Sequence, residues 1–397
     1  MYAKRTESSI KDKDMEGYVD IDESQANSAH APKVSVIVPV YNTARYLEQA
    51  LISLERQSLS DIEIICVNDG STDDSPAIMR AHARRDARIH VIDKPNGGYG
   101  SGCNRGLDEA RGTWIAILEP DDWVDTTMFE DMVCFAESFE ETVDIVKTPY
   151  WSVNDPDTPL QLTLNCSFKG TVKPTHQPFT VDDPGYVDVL ACHPSIWSAL
   201  YRREFLEQAG IRFHEIPGAG WADNPFLIDA FCRARGIVYL DQAYYHYREE
   251  TTAKAANFAK SNPLLPMERW NDMTDILDEL GIDDAGIRRA HNSRGFTYLS
   301  GVVEQVTLEN EEVREAARKM FERMDDDLVF GDPSISPAWK RHFAAFKGIE
   351  PRNDSELAFA GQLIKKGLRS IRNYGIKETL RSVVRFQSRR RKRDGRG

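Results

Sequence analysis

From Lys33 onward, short apolar runs alternate with stretches of helical spacing. Val34–Val38 is a buried-type strand, followed by Pro39–Asn42 and then Leu47, Leu51 and Leu54 at the intervals of one helix face. Ile62–Val67 is a second strand, and Ser71–Asp74 has the form of a capping box opening a helix to about Arg85. Ile89–Ile92 is a third strand, followed by a glycine-rich loop and a helix to Ala110, and Trp114–Leu118 is a fourth. Strands separated by helices of this length predict an α/β fold with a mostly parallel, Rossmann-like sheet and helices on both faces. Ligands of such sheets bind at the C-terminal strand ends.

After Tyr150 the pattern loosens into Pro- and Asp-rich loops with short strands, up to about Arg248. Beyond Pro263 it becomes helical: Trp270, Met273, Leu277 and Leu280 mark one face, ending at Gly281. Val302, Val303 and Val306 mark a second face, and Val313, Ala317, Met320 and Met324 a third. The expected organisation is a disordered leader over 1–31, an α/β domain over 32–250 (halves 32–124 and 125–250), a helical region over 263–347 and a tail over 361–397.

Charge changes this picture at one end. The 397 residues carry a net charge of −13, which disfavours a chain whose main task is to coat nucleic acid. The segment Gly361–Gly397 nevertheless holds 13 Lys and Arg against Glu378 and Asp394, a net +11, so the rest of the chain carries −24. Ile364, Leu368 and Ile371, then Ile376, Leu380, Val383 and Val384, give this tail helical apolar spacing, with a break expected at Asn373–Gly375. A basic amphipathic segment reads as an anionic membrane surface contact, against a solvated tail or a nucleic-acid patch. No stretch approaches the ~18 apolar residues of a membrane span. The six cysteines show no C-x-x-C spacing and read as buried thiols of a cytosolic protein.

The chemistry collects after the strands: Pro39-Val-Tyr-Asn42, then Asn68–Asp74, then Lys94–Gly102, then Glu119-Pro-Asp-Asp-Trp123. Asp69, Asp121 and Asp122 then share one rim. Because clustered carboxylates repel, a divalent cation between them and a phosphorylated ligand is expected, magnesium or manganese by oxygen coordination. The lack of Lys and Arg in this cluster supports that expectation. A Walker loop is absent, and Gly98–Cys103 fails the dinucleotide fingerprint because Cys103 stands at its third glycine.

Together, Val36–Asn42, Val67–Asp74, Asn96–Gly106 and Leu118–Trp123 resemble the donor half of a family-2 glycosyltransferase of the GT-A fold, a likeness covering about Pro32–Arg248. The resemblance implies that Asp69 holds the nucleotide base, flanked by Pro39 and Tyr41. It also implies that Asn96 and Gly97 border the nucleotide and that Asp121 and Asp122 bind its diphosphate through a metal. Glu119 stands where Asp is usual. Ile196–Phe205 resembles the segment beneath the sugar pocket, with Trp197 in it. Gly220–Phe226 resembles the segment carrying the catalytic base, here Asp223 with Ala222 in place of Glu. Tyr245-His-Tyr-Arg248 resembles a late His-x-Arg element, making His246 a candidate metal ligand or phosphate contact and Arg248 a cationic hydrogen-bond donor.

Each residue has a plainer alternative. Asp223 is a candidate helix cap, Asp69 a turn former and His246 a core histidine. Trp197 and Trp221 are packing residues or sugar-stacking faces, and the glycines of Asn96–Gly102 serve a loop or a close nucleotide. The implied function is inverting, metal-dependent transfer of a sugar from a nucleotide-diphospho-sugar, UDP-linked, to a glycan or lipid-linked acceptor in bacterial surface polysaccharide synthesis. It would take place in the cytoplasm at the inner face of the membrane. The alternatives are a catalytically silent scaffold of a polysaccharide-assembly complex and a sugar nucleotidyltransferase.

Overall fold

The computed structural model describes residues 31–393 except 157, 159, 160, 169–171, 173, 219, 250–262, 305, 353 and 354. The leader expected over 1–31 lies, but for Ala31, outside the described residues. Strand β1 (Val34–Val40) is buried at every position because it lies mid-sheet, with parallel partners on both edges. Those partners are β2 (Ile62–Asp69) and β4 (Trp114–Ile117), and β3 (Ile89–Lys94) pairs parallel with β2. The one polar group inside β1, the Ser35 hydroxyl, donates to Glu63 at 2.6 Å and accepts the Gly112 N–H at 2.7 Å, so no polar group is stranded there.

Helices α1 (Ala44–Glu55), α2 (Ser75–Ala83) and α3 (Tyr99–Glu109) make the crossovers, and α1 buries Leu47, Leu51 and Leu54 as its spacing predicts. Helix α2 begins later than the capping box suggests. Ser71 does not cap it; its hydroxyl accepts the Asn42 N–H at 3.1 Å, and Asp73 accepts the Ser75 N–H at 3.0 Å instead.

After β4 the chain crosses into a second sheet at β5 (Trp123–Val124), forms α4 (Met128–Glu137) and returns as β6 (Ile145–Lys147). Strands β7 (Tyr150–Asn154) and β8 (Leu162–Asn165) belong to the second sheet, and β9 (Ala199–Arg202) inserts antiparallel between β4 and β6. Helices α5 (Arg203–Ala209) and α6 (Asp223–Arg233) precede β10 (Ile237–Tyr239) and β11 (Tyr245–Glu249). The seven-stranded sheet runs β10-β6-β9-β4-β1-β2-β3 and the smaller one β5-β11-β7-β8. The mostly parallel α/β architecture of the sequence reading is present, with β9 as its antiparallel exception.

The C-terminal helices are α7 (Leu265–Glu279), α8 (Ala285–Val303), α9 (Glu311–Glu322), α10 (Asp326–Gly331), α11 (Pro337–Lys347) and α12 (Glu356–Arg393). Trp270, Met273 and Leu277 of α7 are buried, as are Val313, Ala317 and Met320 of α9, so the predicted faces are core faces. Helix α7 packs on α6, and α8 packs on α7 and on the 3-10 turn Val187–Ala191. Helix α12 breaks at Gly375 (φ 80°), where the sequence placed a break. No helix among the described residues is long and apolar enough to cross a membrane. All six thiols are free; only Cys66 and Cys103 are fully buried and Cys134 is exposed, which corrects the reading of all six as core groups.

Candidate active site

The C-terminal ends of β1 to β4 form one rim, and each sequence-predicted residue has a definite place on or near it. Pro39 is buried inside β1 opposite Val67, while the Tyr41 ring beyond the strand end is 49% exposed. Asn42 adopts a left-handed backbone (φ 54°), and its side-chain oxygen accepts the Thr72 N–H at 2.8 Å, tying this end to the turn after β2.

Asp69 ends β2 with Lys94 beside it in register. Its carboxylate accepts the N–H groups of Gly97 and Gly98, each at 2.9 Å, and the Lys94 ammonium at 2.5 Å. Its carbonyl accepts the Asn96 side chain at 2.9 Å. Asp69 therefore shapes the Asn96–Gly98 wall of the rim. The rim is also not free of cations: Lys94 sits on Asp69, and Arg248 reaches the loop after β4, which corrects the argument from a bare acid cluster.

The glycine-rich loop has a neighbour other than a ligand. Gly98 has φ +90°, and a Cβ there would collide with the carbonyl oxygen of Ile216. A Cβ at Gly100 would strike the His214 carbonyl. The close approach these glycines permit is therefore that of the chain's own His214–Gly218 strap, whose Gly218 carbonyl accepts the Tyr99 N–H at 2.9 Å.

The acids after β4 separate into different roles. The Tyr99 hydroxyl donates to Glu119 at 2.6 Å, and the Glu119 N–H donates to the Tyr245 hydroxyl oxygen at 3.0 Å. Burial pushes the Glu119 carboxyl up to about 8, and repulsion from Asp121 and Asp223 adds to it, while the Tyr99 bond opposes the shift. Asp122 is 1% exposed, and both its oxygens are engaged, by the Tyr245 hydroxyl at 2.8 Å and the Arg248 N–H at 2.7 Å. Burial holds it well above the usual carboxylate range. It clamps β11 onto the loop, and it is not presented to a cation.

His246 is likewise apart from these acids. Side chains alternate along β11, so His246 faces away from Tyr245 and Tyr247. It stacks on Trp123 at 5.0 Å and meets Asp125 at 2.9 Å, which corrects its placement in a metal shell. Arg248 donates to the Asp121 carbonyl at 2.8 Å and to Gln49 at 2.6 Å, and lies over the rings of Tyr46 and Trp123. Trp197 is 4% exposed, with Tyr245 and Tyr247 stacked on it at 4.1 Å and 5.1 Å, so it is a packing residue.

Asp223 is the first residue of α6 and Ala222 holds the cap position, so the capping alternative does not describe it. Burial raises its carboxyl to about 6, opposed by N–H donors of its own turn, by the Arg294 charge and by Asn224, whose side chain donates at 3.1 Å. Asp121 and Asp223 each push the Glu119 carboxyl up, and Glu119, Asp223 and Asp69 each push up the buried Cys103 thiol, so the structure brings Asp69, Glu119, Asp121 and Asp223 around one region. Trp221, two residues before Asp223, is 37% exposed at φ 51°.

No group of three or more His, Cys, Asp or Glu in metal-binding geometry occurs among the described residues. The donor set that remains is Glu119 with Asp121. Two carboxylates, with phosphate oxygens and water completing the shell, suit a magnesium-type cation shared with a diphosphate. The sequence reading missed Tyr99, Tyr245, Asn224, Arg294 and Tyr298. Tyr99 and Tyr245 lie inside quoted segments, whereas Arg294 and Tyr298 carry no local signal.

The family described as Glycosyl transferase family 2 matches residues 35–210. The uncharacterized glycosyltransferase EpsJ of Bacillus subtilis (strain 168) is 39% identical over 223 residues, 55% of this chain and 61% of EpsJ. The putative glycosyltransferase EpsH of the same organism is 31% identical over 245 residues, 58% of this chain and 64% of EpsH. The match thus spans less than two thirds of either relative. Among solved structures, S. aureus TarS 1-349 in complex with UDP-GlcNAc superposes with a TM-score of 0.63 at 20% identity, covering 84% of this chain and 92% of TarS 1-349.

Proposed function

We propose that the chain, whose residues 35–210 match the family described as Glycosyl transferase family 2, transfers a sugar, with inversion, from a nucleotide-diphospho-sugar to a hydroxyl of a glycan or lipid-linked acceptor. The observation that carries the reading is Asp223 close enough to raise the Glu119 carboxyl, which Asp121 also raises, with Asp223 itself shifted toward neutrality by burial. The Asp223 carboxylate takes the proton of the acceptor hydroxyl as its oxygen bonds to the sugar's anomeric carbon. The bond from that carbon to the diphosphate breaks in line, and the electron pair leaves with the phosphate. Tyr41, Asn96 and Gly97, the last two set by Asp69, border the nucleotide. Glu119 and Asp121 would hold a divalent cation, manganese or magnesium, which would offset the charge of the diphosphate.

A UDP-linked donor is favoured because the like-folded TarS 1-349 binds UDP and UDP-GlcNAc. Surface polysaccharide synthesis is the setting we propose, since relatives include a minor teichoic acid biosynthesis protein, GgaB of Bacillus subtilis, at 28% identity. The basic tail would hold the enzyme at the inner face of an anionic membrane. The test is a panel of nucleotide-sugars with manganese, scored first by thermal stabilisation and then by transfer. Asp223→Asn should keep donor-induced stabilisation and lose transfer; full transfer by both Asp223→Asn and Asp121→Asn would overturn the assignment.

A further inference from the structure

Helix α8 comes from the helical region, roughly seventy residues after Asp223, yet two of its side chains end beside that carboxyl. The Tyr298 hydroxyl donates to the Asn224 side-chain oxygen at 2.5 Å, and an Arg294 Nη1 donor reaches the same oxygen at 3.4 Å and the Tyr298 hydroxyl oxygen at 3.2 Å. The other Arg294 terminal nitrogen donates to the carbonyls of Leu190 and Cys192, the latter at 2.9 Å, so the guanidinium is fixed from both sides. Arg294 and Asn224 are 7% and 4% exposed.

This arrangement decides which way the amide faces. An Asn side chain has one accepting oxygen and one donating nitrogen. With the oxygen occupied by two donors, the nitrogen must face the other way, and it lies 3.1 Å from the Asp223 carboxylate. We infer that Arg294 and Tyr298 act through Asn224 as positioning residues for Asp223, so that α8 is part of the catalytic apparatus and not only a cap on the fold. The inference rests on the glycosyltransferase reading with Asp223 as base.

The positioning has an electrostatic side. The groups acting on Asp223 or acted on by it are Glu119 from the loop after β4, Tyr99 and Cys103 of α3, Tyr201 of β9, and Arg294 and Tyr298 of α8. Among these described residues, Arg294 supplies the positive charge. It offsets the Glu119 side and favours the ionised base. Tyr298 also meets the exposed Trp221 ring edge-on at 5.3 Å.

The full chain, with manganese and whichever donor the parent accepts, tests this in three variants. Tyr298→Phe and Asn224→Ser leave the Arg294 tether to Leu190 and Cys192 in place, whereas Arg294→Gln removes the charge. All three are expected to lower kcat about tenfold, with KM and Kd for the donor unchanged, as misplacement of a base does. Arg294→Gln should in addition move the acidic limb of the kcat profile to higher pH, which a purely structural tether would not do. Parental kcat in folded Tyr298→Phe and Asn224→Ser overturns the relay, and these two decide the matter if Arg294→Gln fails to fold. If Asp223→Asn itself retains parental transfer, the reading of Asp223 as base falls, and the relay falls with it.

Discussion

Two carboxyls that are both largely withdrawn from water, one raising the other, cannot both ionise cheaply, and the pH behaviour of the site follows from that. Glu119 rises from an ordinary 4.5 to about 8, and Asp223 from 3.8 to about 6. Between those limits the folded chain holds protons that the unfolded chain has already released. The stability these groups contribute is therefore full below the ordinary values and is lost as pH rises through the folded ones. In the metal-free protein, Glu119→Gln should accordingly raise Tm relative to the parent near pH 8 and leave it near parity at about pH 4.5. The loss it removes is on the order of a few kcal/mol. An unchanged Tm difference across that range would contradict the burial argument. With Asp223 as the proposed base, activity depends on the other carboxyl. A base must be ionised to accept a proton, so kcat should climb with pH through about 6 and level off above it. A rate that fell through this range would exclude Asp223 as the base.

At the scale of elements, the entry to α3 depends on the His214–Gly218 strap crossing it. Gly98→Ala puts a side chain where φ is +90° and the Ile216 carbonyl already stands. The strap or the loop must move, and a loss of at least about 2 kcal/mol is expected, read as a fall in Tm. Parental stability would mean that the strap is loosely held. The same contact explains why the loop's purpose was only partly legible in the sequence. Strands β1 to β4 follow from local apolar runs, so the placement of Asp69, Glu119 and Asp121 at or just after strand ends was legible without the fold. The partner of Gly98 lies more than a hundred residues away, and no local pattern announces it. Asp122 failed for a similar reason: its neighbour Asp121 is indistinguishable from it in sequence, and only the pairing of β11 with β5 turns it toward Tyr245 and Arg248. His246 was misplaced because the strand's alternation, not its motif, decides which face it takes. The one-in-seven antiparallel strand, β9, was invisible because its four residues read like any other apolar run.

For the whole molecule, charge is divided as function would divide it. The segment Gly361–Gly397 carries +11 and the remainder −24, so an anionic surface attracts one end and repels the rest. The structure adds an apolar row: Leu357, Ile364, Leu368 and Ile371, then Ile376 and Leu380 beyond the Gly375 break, are all exposed on α12. Charge and apolar area weaken differently, and this separates them experimentally. Each basic residue near an anionic surface contributes about 1 kcal/mol, an attraction confined to a screening length of about 10 Å at 0.1 M salt and about 3 Å at 1 M. Burial of the leucines and isoleucines does not screen. Cosedimentation of the full chain with anionic vesicles should therefore be strong at low salt and fall steeply as salt rises. With neutral vesicles only the apolar part should remain, a weak binding that salt leaves unchanged. Ile364→Asp combined with Leu368→Asp should weaken binding at every salt concentration, and deletion of Gly361–Gly397 should abolish it. Unchanged sedimentation of the deletion variant would show that the tail is a solvated helix and that the acceptor, if lipid-linked, must reach the Asp223 rim by another surface.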